Sequence, residues 1–417
     1  MTQKNQKFSN LEEFSNSSLQ SHQVLNIGLF RKKIGAIGAS NLGSALAKCT
    51  NLSNLTLDLR GNQIGAIGAS DLGSALTNCT NLSNLTLQLN ENQIGYEGVT
   101  CLVSALAKCK NLQNLTLDLY LEIIGNEGVS GLGSALSKFT NLQNLTLDLS
   151  SNNIGALGAS NLGSALATCT NLSNLILDIS NNEIKAIGAT GLASVIAKCT
   201  NLLNLTLFIG INQIGDEGSQ GIVSALSKCT NLSNLQLYLN NNNIGNEGIS
   251  GLGSVLATYT NLSSLYLDLE FNKIDGIGAS DLCSSLATCP ILSKLVLILR
   301  SSQIYDQGAS SLGFALAKCT NLSNLTLDLR SCKIGDDGAS VLGSGLGKCK
   351  NLSNLALDLY CNEIGAGASD LGSGLTKCTN LQNLTLFLSK IDQSQQLKAK
   401  SKCLKSKRLT QFKIYFI

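Results

Sequence analysis

Between Asn51 and Thr80 the apolar residues fall into two rhythms. Leu52, Leu55, Leu57 and Leu59 form an L-x-x-L-x-L-x-L run whose last three leucines alternate with Thr56, Asp58 and Arg60. A period of two predicts a strand with one buried and one wet face. Ile64 follows, and then Ala69, Leu72, Leu76 and Cys79 recur at helical spacing, with Asp71, Ser74 and Asn78 on the opposite side. The unit therefore predicts strand, loop, helix, loop. It recurs about every 30 residues to near Asn380, and in twelve copies all four strand columns hold Leu or Ile. Such a period implies a solenoid, in which each unit buries its apolar face only against its neighbours.

The remaining columns refine that picture. Asn62 heads an asparagine column interrupted by Glu122, Ser302 and Cys332. Stacked amides there would satisfy backbone groups where the chain leaves the strand. The Gly68 column is glycine from Gly38 to Gly367, which predicts a tight entry into each helix. Three segments result: an N-terminal cap and degenerate first repeat over 1–33, the regular repeats over 34–389, and a basic helix with a closing strand over 390–417. Ser9 and Glu12 have capping-box spacing in the first segment, with Leu11 and Phe14 placed to cover the first layer. In the last, Leu409, Phe412, Ile414 and Phe416 repeat the strand spacing. The expected fold is α/β, with about fourteen parallel strands on a concave face and helices on a convex one.

Composition changes this reading in three places. The net charge is only +3, but residues 390–413 carry eight Lys or Arg against Asp392 alone, which leaves the preceding repeats mildly acidic. Ten of the fifteen cysteines share the Cys79 column, where two copies hold Phe139 and Tyr259 instead. A column that accepts Cys, Phe or Tyr is a buried apolar site. No C-x-x-C pair or other metal-ligand spacing occurs, and the one histidine, His22, reads as a surface or cap residue. The first twenty residues lack the apolar core of a signal peptide, and no run reaches the ~20 apolar residues of a spanning helix. The many N-L-S and N-L-T triplets then read as unmodified. An intracellular, reducing location is expected, cytoplasmic or nuclear, with no membrane span.

The stretch from Leu57 to Leu72, L-x-L-x-x-N-x-I-G-x-x-G-A-x-x-L, resembles the leucine-rich repeat of the ribonuclease-inhibitor type, with the Leu52 to Leu55 extension as a departure. The near-identical copies also resemble the expanded leucine-rich-repeat families of ciliates, some of which join such an array to a protein kinase. No kinase motif is present here. The resemblance implies a non-enzymatic module that holds a protein partner on its concave face. A second implication is regulation of a small GTPase, because Ran GTPase-activating protein shares the N-x-I-G-x-x-G-A repeat. Arg60, Arg300 and Arg330 stand at the strand-to-loop edge where such an activity would need them.

Candidate binding residues follow from the outward strand columns. The Asp58 column includes Asp118, Asp148, Asp178 and Asp268, a ladder of like charge suited to a basic partner. The same column turns to Phe208 and Tyr238 in the middle of the array, and Tyr266 stands in the Thr56 column. These three are expected to form one exposed aromatic patch flanked by charge, the composition of a protein-binding hot spot. No catalytic residue, metal ligand or cofactor is expected. Nucleic acid is not the expected partner.

Overall fold

The computed structural model describes residues 5–289, 291–406 and 408–417, and the chain divides into two compact units between Asn212 and Gln213. Lys407 of the basic segment lies outside the described residues. In the first unit the strands are β1 (Asn5–Phe8), β2 (Val24–Gly28), β3 (Asn54–Asp58), β4 (Asn84–Gln88), β5 (Asn114–Asp118), β6 (Asn144–Asp148), β7 (Asn174–Asp178) and β8 (Asn204–Phe208). Between them run α1 (Leu11–Ser15), α2 (Gly35–Leu46), α3 (Gly65–Leu76), α4 (Gly95–Leu106), α5 (Gly125–Leu136), α6 (Ala156–Leu166) and α7 (Lys185–Lys198). The second unit alternates α8 (Gly215–Leu226), β9 (Asn234–Tyr238), α9 (Asn246–Leu256), β10 (Ser264–Asp268), α10 (Gly276–Leu286), β11 (Lys294–Ile298), α11 (Tyr305–Leu316) and β12 (Asn324–Asp328). It continues through α12 (Asp336–Leu346), β13 (Asn354–Leu359), α13 (Gly367–Leu375), β14 (Asn383–Leu388), α14 (Gln393–Cys403) and β15 (Gln411–Phe416).

Within each unit the strands pair in parallel and in sequence order, so that equivalent residues of successive copies face each other, as Leu55 faces Leu85 and Leu115 faces Leu145. This is the leucine-rich-repeat solenoid expected from the columns. Leu55, Leu57 and Leu59 are fully buried with Leu72 and Leu76 of the following helix. The alternation thus seals one face of the sheet under helices and leaves the other outward.

Three ladders hold the copies in register. Asn92 accepts the N–H groups of Asn62 and Ile64 on Oδ1 and donates through Nδ2 to the carbonyls of Leu59 and Leu89. A second ladder runs along the strand starts, where Asn84 donates to Asn54 at 2.6 Å and Asn114 donates to Asn84 in turn. These asparagines lie in the glycosylation-like triplets, and their amides are spent on one another. The third ladder is the cysteine column. Cys79 and Cys109 are buried and donate to the carbonyls of Leu46 and Leu76, one repeat back. Tyr259 reaches the equivalent carbonyl of Leu226 with its hydroxyl at 2.7 Å. A short thiol and a long phenol fill one role because each brings a donor to the same acceptor.

The structure refines four expectations. The N-cap of α1 is Asn10, whose Oδ1 accepts from Glu12 and Glu13, and not Ser9. The helix opens at Gly65, with φ +65°, three residues ahead of Gly68. Gly68 is instead a packing glycine: a Cβ there would lie 2.5 Å from Ile64 Cγ2 and 2.9 Å from Ala39 Cβ of the preceding helix. An additional strand, β1, pairs with β2, giving fifteen strands among the described residues. His22 is buried, stacked against Phe14, with Ser17 Oγ 2.8 Å from its Nε2. Of the two expected roles it has that in the cap and not that at the surface, and burial lowers its pKa.

Candidate protein-binding face

The outward columns of the sheet carry the residues singled out by sequence. In the first unit, Asp118, Asp148 and Asp178 close β5, β6 and β7 directly opposite one another, and Phe208 continues the row on β8. Neighbouring strands lie ~4.8 Å apart, so three carboxylates share a strip about 10 Å long. Each first serves its own backbone. Asp148 Oδ1 accepts the N–H and hydroxyl of Ser150 at 2.9 and 2.6 Å, Asp178 treats Ser180 identically, and Asp118 Oδ1 accepts the N–H of Tyr120 at 3.2 Å. The aspartate therefore caps the turn that leaves the strand. Among the described residues no donor reaches the second oxygen of these three carboxylates.

Electrostatics separates this row from its relatives. Asp58 is held by Arg60 through two bonds of 2.8 and 2.7 Å, and that contact lowers its pKa. In the second unit Arg330 binds Asp328 at 2.5 Å and Asp358 at 3.3 Å. Asp118 and Asp178 are half-buried, and their pKa values rise, chiefly by desolvation and further by the charge of Asp148, with Arg60 partly opposing at Asp118; Asp268 and Asp358 shift in the same direction by burial. No ion pair involves Asp118, Asp148 or Asp178 among the described residues. Nor do any three His, Cys, Asp or Glu side chains among them converge as a metal site.

Two of the three aromatic residues singled out by sequence belong to the second unit. Tyr238 and Tyr266 in the second unit pack with ring centroids 4.5 Å apart, and Asp268 stands opposite Tyr238. Both rings are half-buried, since each covers part of the other. Phe208 belongs to the first unit, where its neighbour in register is Asp178. Arg300 pairs with Glu270 at 3.2 Å. All three edge arginines are thus engaged with carboxylates. Sequence reasoning missed this pairing, although Asp58-Leu59-Arg60 and Asp328-Leu329-Arg330 carry the signal: two residues on, the arginine lies on the same face as the aspartate.

One departure in the strand-exit loops is coordinated. Leu121 and Ile123 are exposed and left-handed, with φ of +58° and +55°, and the intervening Glu122 replaces the ladder asparagine. Its carboxylate is fully buried and accepts the N–H groups of Asn92 at 2.5 Å and Ile94 at 2.6 Å. Burial pushes its pKa up to about 7 against the opposing pull of those two amides.

Comparison with known proteins agrees with the repeat. The family model described as Leucine Rich repeat matches residues 51–73, 81–103, 141–163, 231–253, 265–283 and 321–343. No curated protein matches in sequence. Among solved structures, a leucine-rich-repeat protein of Leptospira interrogans aligns at 17% identity and a TM-score of 0.47, covering 99% of this chain and 100% of the other. A chain of the yeast Rad7–Elc1 complex aligns at 14% identity and 0.45, covering 98% and 80%. One from the Drosophila Toll–Spatzle complex gives 14% and 0.46, over 98% of this chain and 49% of that one. No helix among the described residues is long and apolar enough to cross a membrane. Six stretches match the repeat model, and strand and helix alternate in register through both units, so the chain carries leucine-rich repeats in a solenoid fold.

Proposed function

We propose that this chain is a non-enzymatic protein-interaction module that holds a basic segment of a protein partner on the outward, concave face of its sheet. One observation supports the reading: Asp118, Asp148 and Asp178 stand in register with no ion pair among the described residues, whereas Asp58 pairs with Arg60, and Asp328 and Asp358 share Arg330. A row of partly desolvated carboxylates repels itself, and lysine or arginine side chains at similar spacing would relieve that repulsion. Phe208 at the end of the row, with Tyr238, Tyr266 and Asp268 in the second unit, would supply apolar contacts and further charge. The location proposed with this reading is the cell interior.

The test is binding of a fluorescein-labelled octalysine peptide at low salt, comparing wild type with Asp118→Asn/Asp148→Asn/Asp178→Asn. Asparagine keeps the oxygen that caps each turn and removes the charge, so the fold is retained. At roughly 0.5–1 kcal/mol for each exposed pair, affinity falls about tenfold or more. Equal affinity in the two proteins would overturn the assignment. Arg60, Arg300 and Arg330, the arginines a GTPase-activating role would use, are each paired with a carboxylate.

A further inference from the structure

In the first unit the loops that leave β2, β3, β4 and β5 form a groove whose chemistry changes along its length. The loops stack by hydrogen bonds, Arg31 N–H donating to the Arg60 carbonyl at 2.9 Å and Gly61 N–H to that of Asn90 at 3.0 Å. They therefore keep close to the strand spacing of ~4.8 Å per repeat. Between them lies a cavity of about 640 Å³, lined in order by Arg31 and Lys33, by Gln63 and Gln93, and by Leu121 and Ile123.

One end is cationic. Arg31 lies flat over Gly61, where a Cβ would stand 2.8 Å from the Arg31 Cγ, and it pairs with Glu91 two repeats on at 3.1 Å. Gly61 is the one glycine in a column that otherwise carries a side chain in every copy. Lys33 is exposed and forms no ion pair among the described residues, so the groove holds one cation in excess. Midway, the exposed Gln63 and Gln93 amides make no hydrogen bond among the described residues. Each offers a donor and an acceptor, the same two groups that a peptide unit presents. The other end is apolar, with Leu121 and Ile123 exposed by 48% and 68%. Ile123 is the one apolar residue of its column, and a β-branched side chain at φ +55° is a backbone outlier. Its exposed side chain buries too little within the fold to offset that strain, whereas an apolar ligand group would cover it.

We propose that this groove binds an extended peptide segment that is acidic at one end and apolar at the other. Its carboxylates meet Lys33 and Arg31, its backbone meets the Gln63 and Gln93 amides, and its apolar side chains cover Leu121 and Ile123. Three repeat spacings, ~15 Å, match about five extended residues. The two amides favour a peptide over a lipid, whose chain has nothing for them to bond. The site takes the opposite charge to the aspartate row and stands independently of it. The experiment is calorimetric titration of the whole chain at low salt with a hexapeptide of two glutamates, two serines and two leucines. The peptide is acetylated and amidated so that only the glutamates are charged, and it is made in this order and in reverse. Wild type binds at least one order; glutamine in place of glutamate weakens binding at least threefold, and serine in place of leucine at least tenfold. Leu121→Ser/Ile123→Asn installs the residues that the next repeat holds in the same left-handed backbone, Ser151 and Asn153, so the fold is kept. It weakens binding at least tenfold, and Lys33→Glu does so at least fivefold. The proposal is overturned if either variant, with an unchanged circular dichroism spectrum, binds as wild type does, or if neither peptide binds at 1 mM. It is overturned equally if phosphatidylserine vesicles or a single-stranded oligonucleotide bind in the peptide's place. A wild-type dimer that Leu121→Ser/Ile123→Asn converts to a monomer in sedimentation would overturn it too, by assigning the groove to a second copy.

Discussion

Replacing Glu122 with asparagine would restore the ladder at the one position where a carboxylate interrupts it, and the effect should depend on pH in a defined direction. Glu122 is fully buried, and its pKa rises from 4.5 to about 7, mainly through desolvation, with Asp118 and Glu91 adding repulsion and the Asn92 and Ile94 amides opposing. The folded state therefore holds this proton more tightly than the unfolded state does. Its stabilising contribution is complete below pH 4.5 and is lost as pH rises through 7. At 1.36 kcal/mol per unit, the loss amounts to about 3 kcal/mol once the group is ionised. Asparagine accepts from the same two amides on Oδ1, carries no charge, and donates through Nδ2 as Asn92 and Asn152 do. Glu122→Asn should then be more stable than wild type by about 3 kcal/mol at pH 8, with the difference shrinking toward zero at pH 4.5. Urea unfolding followed by circular dichroism across that range measures it, using the first transition because repeat arrays unfold in parts. Taking the difference between the two proteins cancels the titration of the surface aspartates. A difference that stays constant between pH 4.5 and 8 would refute the argument, because the buried carboxylate would then not titrate in that window. Glu122→Gln separates charge from length: it should also lose the pH dependence.

Two further outcomes test the packing. Gly163→Ala would set a Cβ 2.5 Å from the Leu192 Cα on the adjacent helix, so thermal unfolding should show a loss of about 1–3 kcal/mol, whereas alanine at exposed Ser74 should cost almost nothing. Cys101 and Cys361 are exposed while the other thirteen cysteines are buried, and burial pushes the thiols of Cys79 and Cys349 up to about 12. A thiol reagent near neutral pH should therefore label two sites quickly, as counted by mass spectrometry, and the rest only on unfolding.

The repeated elements were legible because twelve copies act as twelve readings of one pattern. A residue type that varies in a column without changing its polarity, such as Cys, Phe139 and Tyr259, reveals burial before any coordinates are known. The structure adds why: the column supplies a donor to a carbonyl one repeat back, which Phe139 cannot do and Tyr259 can. What was hidden lies outside the copies. Strand β1 has the sequence Asn-Gln-Lys-Phe, with one apolar residue, and forms because β2 offers it an edge. His22 gives no sequence sign of burial, since its environment is made by Phe8, Phe14 and Ser17 from another part of the cap. The aspartate row was predicted in its register. The pairing of Asp58 and Asp328 was carried by the Asp-x-Arg spacing but not read from it, whereas the reach of Arg330 to Asp358 depends on where that side chain turns after the strand ends.

These constraints bear on where function is free to evolve. Inside a repeat, the leucine strand columns, the asparagine and cysteine ladders and the packing glycines each serve a neighbouring copy, so substitution there is limited by the copy on either side. The pH dependence predicted for Glu122 is the cost of breaking such a rule. The outward columns serve no neighbour in this way beyond the turn cap that aspartate provides, and there the copies diverge: Asp178 gives way to Phe208 within the first unit, and Tyr238, Asp268 and Ile298 follow one another in the second. The strand-exit loops tolerate even Leu121 and Ile123 in left-handed backbone, where most copies place small or polar residues. Divergence confined to surfaces that the fold does not need is what recognition of a particular partner would produce, but neutral drift would leave the same trace. Charge and not variability separates the two by experiment: recognition requires that removing the charges of Asp118, Asp148 and Asp178 weaken the binding of a basic partner, whereas drift predicts no change.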